Sequence, residues 1–218
     1  MSAIALVVIT DGRYYCMAES VTSIDQQLPP FTFRCIVDDS GDRAYAAWLD
    51  RTFPDFAILH HPTRMGCAAS VGHGWEAAML CGAEYVWHAE DDFTYDRPVD
   101  VAAMAAILNA NPELAQLALK RGPHGPVEGA AGGIMEVSPD KWTDHDGWCT
   151  SSLIFTFNPS LIPRRAIEVV LADRRPKLES NVAYILTAQG YRFGYLGQTT
   201  DPQRITHIGA NRMPAWLP

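Results

Sequence analysis

The sequence predicts an α/β fold: a mixed, mostly parallel sheet flanked by helices, in a single domain. Three observations predict it. Short apolar, β-rich runs alternate with helix-like stretches four times in roughly the first ninety residues, the rhythm of right-handed βαβ crossovers. The first run is apolar throughout instead of alternating, as a strand covered on both faces is. Polar clusters follow the first, second and fourth runs, and open α/β sheets bind ligands beyond the carboxyl ends of their strands.

Residues 4–9 are the first strand, which ends at the turn signal Thr10-Asp11-Gly12. Residues 14–24 read as a helix, and Pro29-Pro30 breaks the chain. Residues 33–37 are the second strand, ending in Asp38-Asp39-Ser40-Gly41-Asp42. A short helix over 43–52 and a strand over 56–60 follow. The Ala-rich stretch 68–82 is a stronger helix stopped by Gly82. Residues 84–88 form a fourth strand that runs directly into Glu90-Asp91-Asp92.

The second half is less regular. A helix over 99–109, closed by Asn111-Pro112, precedes a strand over 114–119. Residues 122–133 carry so many glycines and prolines that no regular element is expected, and the stretch is either a disordered connector or a mobile lid. Strands are expected over 134–137, 152–157 and 191–196, and helices over 164–172 and 180–189. No internal repeat or clear linker divides the chain, so residues 1–218 are expected to form one domain.

Bulk composition narrows the function. With 218 residues, 48% hydrophobic and 19% charged, the chain can bury a sizeable core. A formal net charge of −8 argues against a broad nucleic-acid footprint, although Arg164-Arg165 and Arg174-Arg175 leave room for a local basic patch. The odd count of five cysteines, with no C-x-x-C pair, argues for reduced thiols in a cytoplasmic protein. The apolar N-terminus lacks a basic region and reaches Asp11 too soon for a signal peptide, and no apolar run approaches a membrane span.

Three acids in a row at a strand end repel one another, and a hard divalent cation, Mg²⁺ or Mn²⁺, would offset that repulsion and bridge a diphosphate. The plainer reading of Glu90-Asp91-Asp92 is an exposed acidic turn capping the next helix. His207, late in the chain among apolar residues, is either a satisfied buried histidine or a nitrogen ligand completing a partial metal shell with a carboxylate.

As an ordered set, these segments resemble family 2 glycosyltransferases of the GT-A, Rossmann-like type. The likeness rests on the turn after residues 4–9, on Val37-Asp38-Asp39-Ser40-Gly41-Asp42, and on Glu90-Asp91-Asp92 as the counterpart of a D-x-D or E-D-D motif. It continues in the segment from Arg64 to Gly74, similar to an N-x-G-x-x-x-A-R-N-x-G pattern, and in Leu178-Glu179-Ser180 with Gly190-Tyr191-Arg192, similar to an E-D…G-Y-R pattern. It spans residues 4–208.

The resemblance implies transfer of a sugar from a nucleotide-sugar, by default a UDP-sugar, to an acceptor hydroxyl. Residues 1–97 would form the donor-binding half and residues 98–218 the acceptor-binding half. Thr10, Asp11, Asp38, Asp39, Arg64, Gly66, Glu90 and Asp91 would bind the donor, with Asp38 or Asp39 on the base or ribose. Asp92 and His207 would hold Mn²⁺ or Mg²⁺. Glu179 would be the general base, or else a helix N-terminal acid favoured by the dipole. Asp146, in the polar knot Asp144-His145-Asp146, is the alternative base, and Trp142 and Trp148 could stack on a sugar or pack in the core.

Val71-Gly72 stands where the pattern has Arg-Asn, so one usual donor contact is missing and Arg64 is a candidate replacement cation. Ser180 stands where the pattern has Asp. The acceptor is open among protein, glycan and a hydroxymethylated DNA base, the last with a phage-type setting in host cytoplasm. Two competing functions use the same features: a sugar nucleotidyltransferase, and a non-catalytic nucleotide-sugar or carbohydrate-binding module.

Overall fold

A computed structural model of the chain describes residues 3–151 and 154–209. Its strands are β1 (Ile4–Thr10), β2 (Phe33–Asp38), β3 (Ala57–His60), β4 (Tyr85–Glu90), β5 (Phe93–Tyr95), β6 (Leu114–Leu119), β7 (Thr143–Asp144), β8 (Trp148–Ser151), β9 (Ser160–Pro163), β10 (Arg192–Leu196) and β11 (Ile205–His207). Its helices are α1 (Tyr14–Gln27), α2 (Arg43–Thr52), α3 (Cys67–Leu80), α4 (Val101–Ala110), α5 (Gly125–Ala131), α6 (Ile134–Val137), α7 (Arg164–Ala172) and α8 (Glu179–Ala188).

Nine strands form one sheet in the order β3-β2-β1-β4-β9-β6-β10-β8-β7. The first four are parallel, as the alternation of the N-terminal half requires. β9 is wedged antiparallel between β4 and β6, and the sheet becomes mixed from there on. Side chains on β1 point alternately to two cores. Leu6 and Val8 pack with α1, α2 and α4 through Met17, Tyr45 and Met104, whereas Ala5, Val7 and Ile9 pack with α3, α7 and α8 through Trp75, Ile167 and Val182. The continuous apolar run in β1 is the sequence expression of this double covering.

Local chemistry sets the helix starts. Asp42 caps α2 by accepting from the N–H groups of Ala44 and Tyr45, and Asp100 caps α4 by accepting from Ala103. Gly74 sits where α3 lies closest to the sheet. A Cβ there would stand 2.5 Å from Val7 Cγ1 and 3.0 Å from Val37 Cγ2, so the helix can approach only without a side chain.

The second half departs from expectation in three stretches. Residues 122–133 are not irregular throughout: they contain α5. Gly125 and Gly132 lie at its ends, Gly132 with φ +104° as a left-handed C-cap, and the Arg121–Glu128 ion pair ties the helix to the preceding turn. Residues 134–137 form α6 rather than a strand, held by Glu136 on the buried Lys120 Nζ at 3.0 Å. Of the strand expected over 152–157, residues 152–153 lie outside the described residues and 154–157 belong to no strand. The strand is instead β9, four residues long and ended by a proline.

Trp142 and Trp148 are both buried, Trp142 edge-on to Tyr195 and Trp148 stacked with His145, so they pack rather than present a face to a sugar. All five cysteines are free thiols.

Candidate active site at the carboxyl edge of the sheet

Register brings the polar clusters together. Ile9 of β1 pairs with Glu90 of β4, and Thr10 pairs with Asp38 of β2, so three strands end level at one edge. The two-stranded ribbon of β5 and β11 then folds the late chain onto this edge, with His207 opposite Phe93. Ile208 N–H donates to the Asp92 carbonyl at 2.7 Å, which fixes the ribbon against the acidic cluster.

The cluster is organised by a residue that sequence reasoning passed over. Arg13, at the start of α1, places Nε 2.8 Å from Asp11 Oδ1 and Nη1 2.7 Å from Asp92 Oδ2, and its Nη2 contacts Asp91 Oδ1. The repulsion among the acids is thus offset by a guanidinium supplied by the chain itself. Burial opposes the Arg13 charge, but Asp91 and Asp92 outweigh it and raise its pKa above the usual arginine range. Only proximity in the fold reveals this partner, because Asp91 lies 78 residues away in the chain.

The carboxylates then differ. Asp91 is fully buried and accepts from Thr10 Oγ1 at 2.6 Å, so it faces the protein. Burial pushes its carboxyl up to about 7 despite Arg13. Asp92 Oδ2 accepts from Arg13 and lies 3.0 Å from His207 Nε2. Burial disfavours its ionisation, but the His207 hydrogen bond and the Arg13 charge hold it down at about 2. Its other oxygen, Oδ1, is buried without a hydrogen-bond partner, as is His207 Nδ1. Burial, reinforced by Asp92 and Glu179, pushes the Glu90 carboxyl up to about 8.

Two cavities meet at Glu90. One, of about 300 Å³, is lined by Thr10, Asp11, Arg13, Asp39, Arg64, Gly66, Cys67 and Glu90. The other, of about 250 Å³, is lined by Glu90, Phe93, Arg121, His124, Phe155, Thr156, Asn158, Glu179 and His207. Glu179 opens α8 and accepts the Phe157 N–H at 2.6 Å, so it is at once a helix N-terminal acid and a cavity-facing carboxylate.

The remaining sequence candidates divide. Asp39 lines the first cavity but uses Oδ1 on Met65 N–H and His61 Nδ1, and Oδ2 on Gly66 N–H, so it staples the 64–66 loop. Those bonds lower its pKa although burial opposes them. Asp38 is buried, accepts from Ser40 N–H and pairs with His60, outside either lining. Arg64 hydrogen-bonds the carbonyls of Asp11 and Ser40, bridging the turns after β1 and β2, while Arg13 takes the cationic position. Asp146 is exposed in the turn between β7 and β8 and lines neither cavity.

Among the described residues, no group of three His, Cys, Asp or Glu side chains is arranged to hold a metal ion. The donor set at the edge is smaller. Asp92 Oδ1 is a buried carboxylate oxygen with unused capacity, and it belongs to the residue that touches His207. Asp92 and His207 are thus the residues that could hold a hard or borderline cation, although Arg13 stands on the Asp92 oxygen that touches His207.

Comparison with known proteins gives fold, not sequence kinship. No family model matches the sequence, and no curated protein matches it. Among solved structures, the chain is similar to GalNAc-T7 in complex with UDP, GalNAc and Mn²⁺, with a TM-score of 0.65 and 11% identity over 93% of this chain and 42% of that one. It is similar to the mannosyltransferase PcManGT of Pyrobaculum calidifontis with GDP-Man and Mn²⁺, at 0.61 and 17% over 97% and 58%. It is also similar to residues 1–349 of S. aureus TarS with UDP-GlcNAc, at 0.64 and 15% over 94% and 58%. The chain spans between 42% and 58% of the length of these three structures. It has the GT-A fold of glycosyltransferases.

Among the described residues, no helix is long and apolar enough to cross a membrane.

Proposed function

We propose that the chain is a glycosyltransferase that takes a nucleotide-sugar in the Thr10–Arg64 cavity and an acceptor hydroxyl in the Phe155–Glu179 cavity. One observation carries this reading: the two cavities share Glu90, with the Asp91-Asp92 pair beside it, so a diphosphate leaving group and an attacking hydroxyl can meet at one point. UDP is the nucleotide first to be tried, because two of the three structures compared above contain UDP or UDP-GlcNAc. Asp92 and His207 would hold a divalent ion, Mn²⁺ or Mg²⁺. Such an ion neutralises charge gathering on a departing diphosphate.

Glu179 is the base in this reading. It takes the proton of the acceptor hydroxyl as the new bond to the sugar's anomeric carbon forms and the bond from that carbon to the diphosphate oxygen breaks. Glu90, whose carboxyl burial pushes up toward the protonated form, can in that form donate a hydrogen bond to the sugar without adding charge beside the diphosphate. Glu179 is preferred to Asp146 because it lines the second cavity, whereas Asp146 lines neither. In this reading residues 1–97 would form the donor-binding half and residues 98–218 the acceptor-binding half; the first cavity is lined from within residues 1–97 and the second mostly by later residues.

A saccharide hydroxyl is the favoured acceptor. Phe93 and Phe155 are part of the apolar wall of the second cavity, and Thr156 and Asn158 supply polar atoms to its lining. A DNA acceptor finds less support at the arginine pair 164–165, because both guanidinium groups are engaged by partners within the chain. Arg164 binds Glu168 and the Ala83 carbonyl, and Arg165 binds the carbonyls of Leu108, Pro112 and Leu114.

The test is a thermal-shift screen of nucleotide-sugars with Mn²⁺, followed by assay of nucleotide release with and without saccharide acceptors. A donor that raises the melting temperature and turns over is expected. If no nucleotide-sugar stabilises the chain and none is cleaved, the reading fails. Synthesis of a nucleotide-sugar from a sugar-1-phosphate and a nucleoside triphosphate would point to a nucleotidyltransferase.

A further inference from the structure

Asp92 Oδ2 is claimed from three sides. Arg13 Nη1 lies 2.7 Å away and His207 Nε2 lies 3.0 Å away. On the third side a Cβ built on Gly209 would come within 2.5 Å of the same oxygen and 2.6 Å of Arg13 Nη1, so the backbone there is pressed against the pair. A cation bridging Asp92 Oδ2 and His207 Nε2 therefore has no place in this arrangement unless the guanidinium withdraws. The other Asp92 oxygen is buried and unpartnered, and polar atoms so placed are left without a partner at substantial cost.

We propose that Arg13 is a tethered counter-ion that keeps the acidic cluster from holding a divalent ion until a diphosphate arrives. The guanidinium and the metal are alternative occupants of one carboxylate edge. Arg13 also lines the first cavity, so a diphosphate bound there offers it a new anionic partner and frees Asp92 together with His207. Metal and nucleotide then bind together, and the free protein carries no resident ion. This rests on the donor-binding reading only for the step in which the diphosphate draws Arg13 away. The competition between Arg13 and the metal stands without it.

The experiment is titration of the full chain with Mn²⁺, followed by the electron paramagnetic resonance signal of the free ion. The wild type is expected to bind no Mn²⁺ at millimolar concentration when nucleotide is absent, and to bind it when UDP is added, while uridine, which has no diphosphate, gives no such gain. Arg13→Gln and Arg13→Met are expected to bind Mn²⁺ without nucleotide, with affinity at least about tenfold above wild type, because removing a neighbouring positive charge favours a cation. Arg13→Lys, which keeps the charge, should behave as wild type, and adding Asp92→Asn to Arg13→Gln should remove the gain.

The proposal is overturned if the wild type alone binds Mn²⁺ as tightly as it does with UDP, an outcome that needs no variant to fold. It is also overturned if Arg13→Gln, folded by circular dichroism, gains no affinity. If the variants gain Mn²⁺ but UDP brings none to the wild type, the donor reading fails while the counter-ion role holds.

Discussion

The imidazole of His207 and the carboxylate of Asp92 meet at 3.0 Å although 115 residues separate them. The three-residue strands β5 and β11 make that meeting possible, and Ile208 N–H on the Asp92 carbonyl locks it. Under the proposed function this pair is the protein's share of the metal site. His207→Ala should therefore weaken Mn²⁺ dependence, moving the metal concentration for half-maximal transfer up by about tenfold, the scale of a lost ligand or its support. A metal titration curve identical to wild type would count against the assignment.

Asp92→Asn should abolish transfer more severely, by about a hundredfold or more, because it removes the anionic ligand for the divalent ion that would neutralise the leaving diphosphate. The amide retains an oxygen for His207 or Arg13, so the fold should survive. Circular dichroism with a nucleotide-release assay separates the two effects. Wild-type turnover in a folded Asp92→Asn protein would refute the role.

Glu179→Gln distinguishes the two meanings of that residue. Gln keeps an oxygen to accept the Phe157 N–H, so the structural contact persists while the base is lost. Turnover should fall by about a hundredfold or more with donor affinity nearly unchanged. A loss confined to stability, seen by thermal denaturation with normal turnover, would leave Glu179 as a helix-terminal acid alone.

The N-terminal half was legible because β1 carries a residue of one core and then of the other at every step, which writes an unbroken apolar run into the sequence. β9 was not legible: four residues ending in Pro163 carry too little pattern, and only the gap between β4 and β6 shows that a strand is needed there. The glycine-rich stretch 125–133 reads as irregular in the sequence, yet Gly125 opens α5, Gly129 lies inside it and Gly132 caps its C-terminus. Glu90-Asp91-Asp92 was visible as an acidic cluster, but its counter-ion, Arg13, belongs to a turn that nothing in sequence spacing connects to it. His207 carries two readings in the sequence, a satisfied buried histidine or a nitrogen ligand, and only the fold brings it to Asp92.

Two glycines of α3 give a paired test of packing. Gly74→Ala drives a methyl group to 2.5 Å from Val7 Cγ1, and overpacking of this kind costs about 1–3 kcal/mol. At Gly72 the added Cβ meets only Lys177 Cγ at 3.7 Å, so Gly72→Ala should be neutral or stabilising by up to about 1 kcal/mol through helix propensity. Chemical denaturation of the two variants checks this. Equal stabilities would mean that α3 does not sit as close to the sheet as described.

His88 supplies a pH test away from the cavities. Its ring is fully buried, its Nδ1 accepts from Trp75 Nε1 at 3.3 Å, and burial pushes its pKa down from 6.5 to about 3. The folded state therefore keeps His88 neutral where the unfolded chain takes up a proton. Stability from this group is complete above about 6.5 and declines as pH falls toward about 3, by on the order of 1 kcal/mol per pH unit for one proton. His88→Gln keeps an acceptor for Trp75 but cannot titrate. The variant should be the less stable protein at pH 7, and the gap should close or reverse as pH falls through that window. Parallel melting curves at every pH would show that His88 is protonated equally in both states, and the buried neutral imidazole would have to be abandoned.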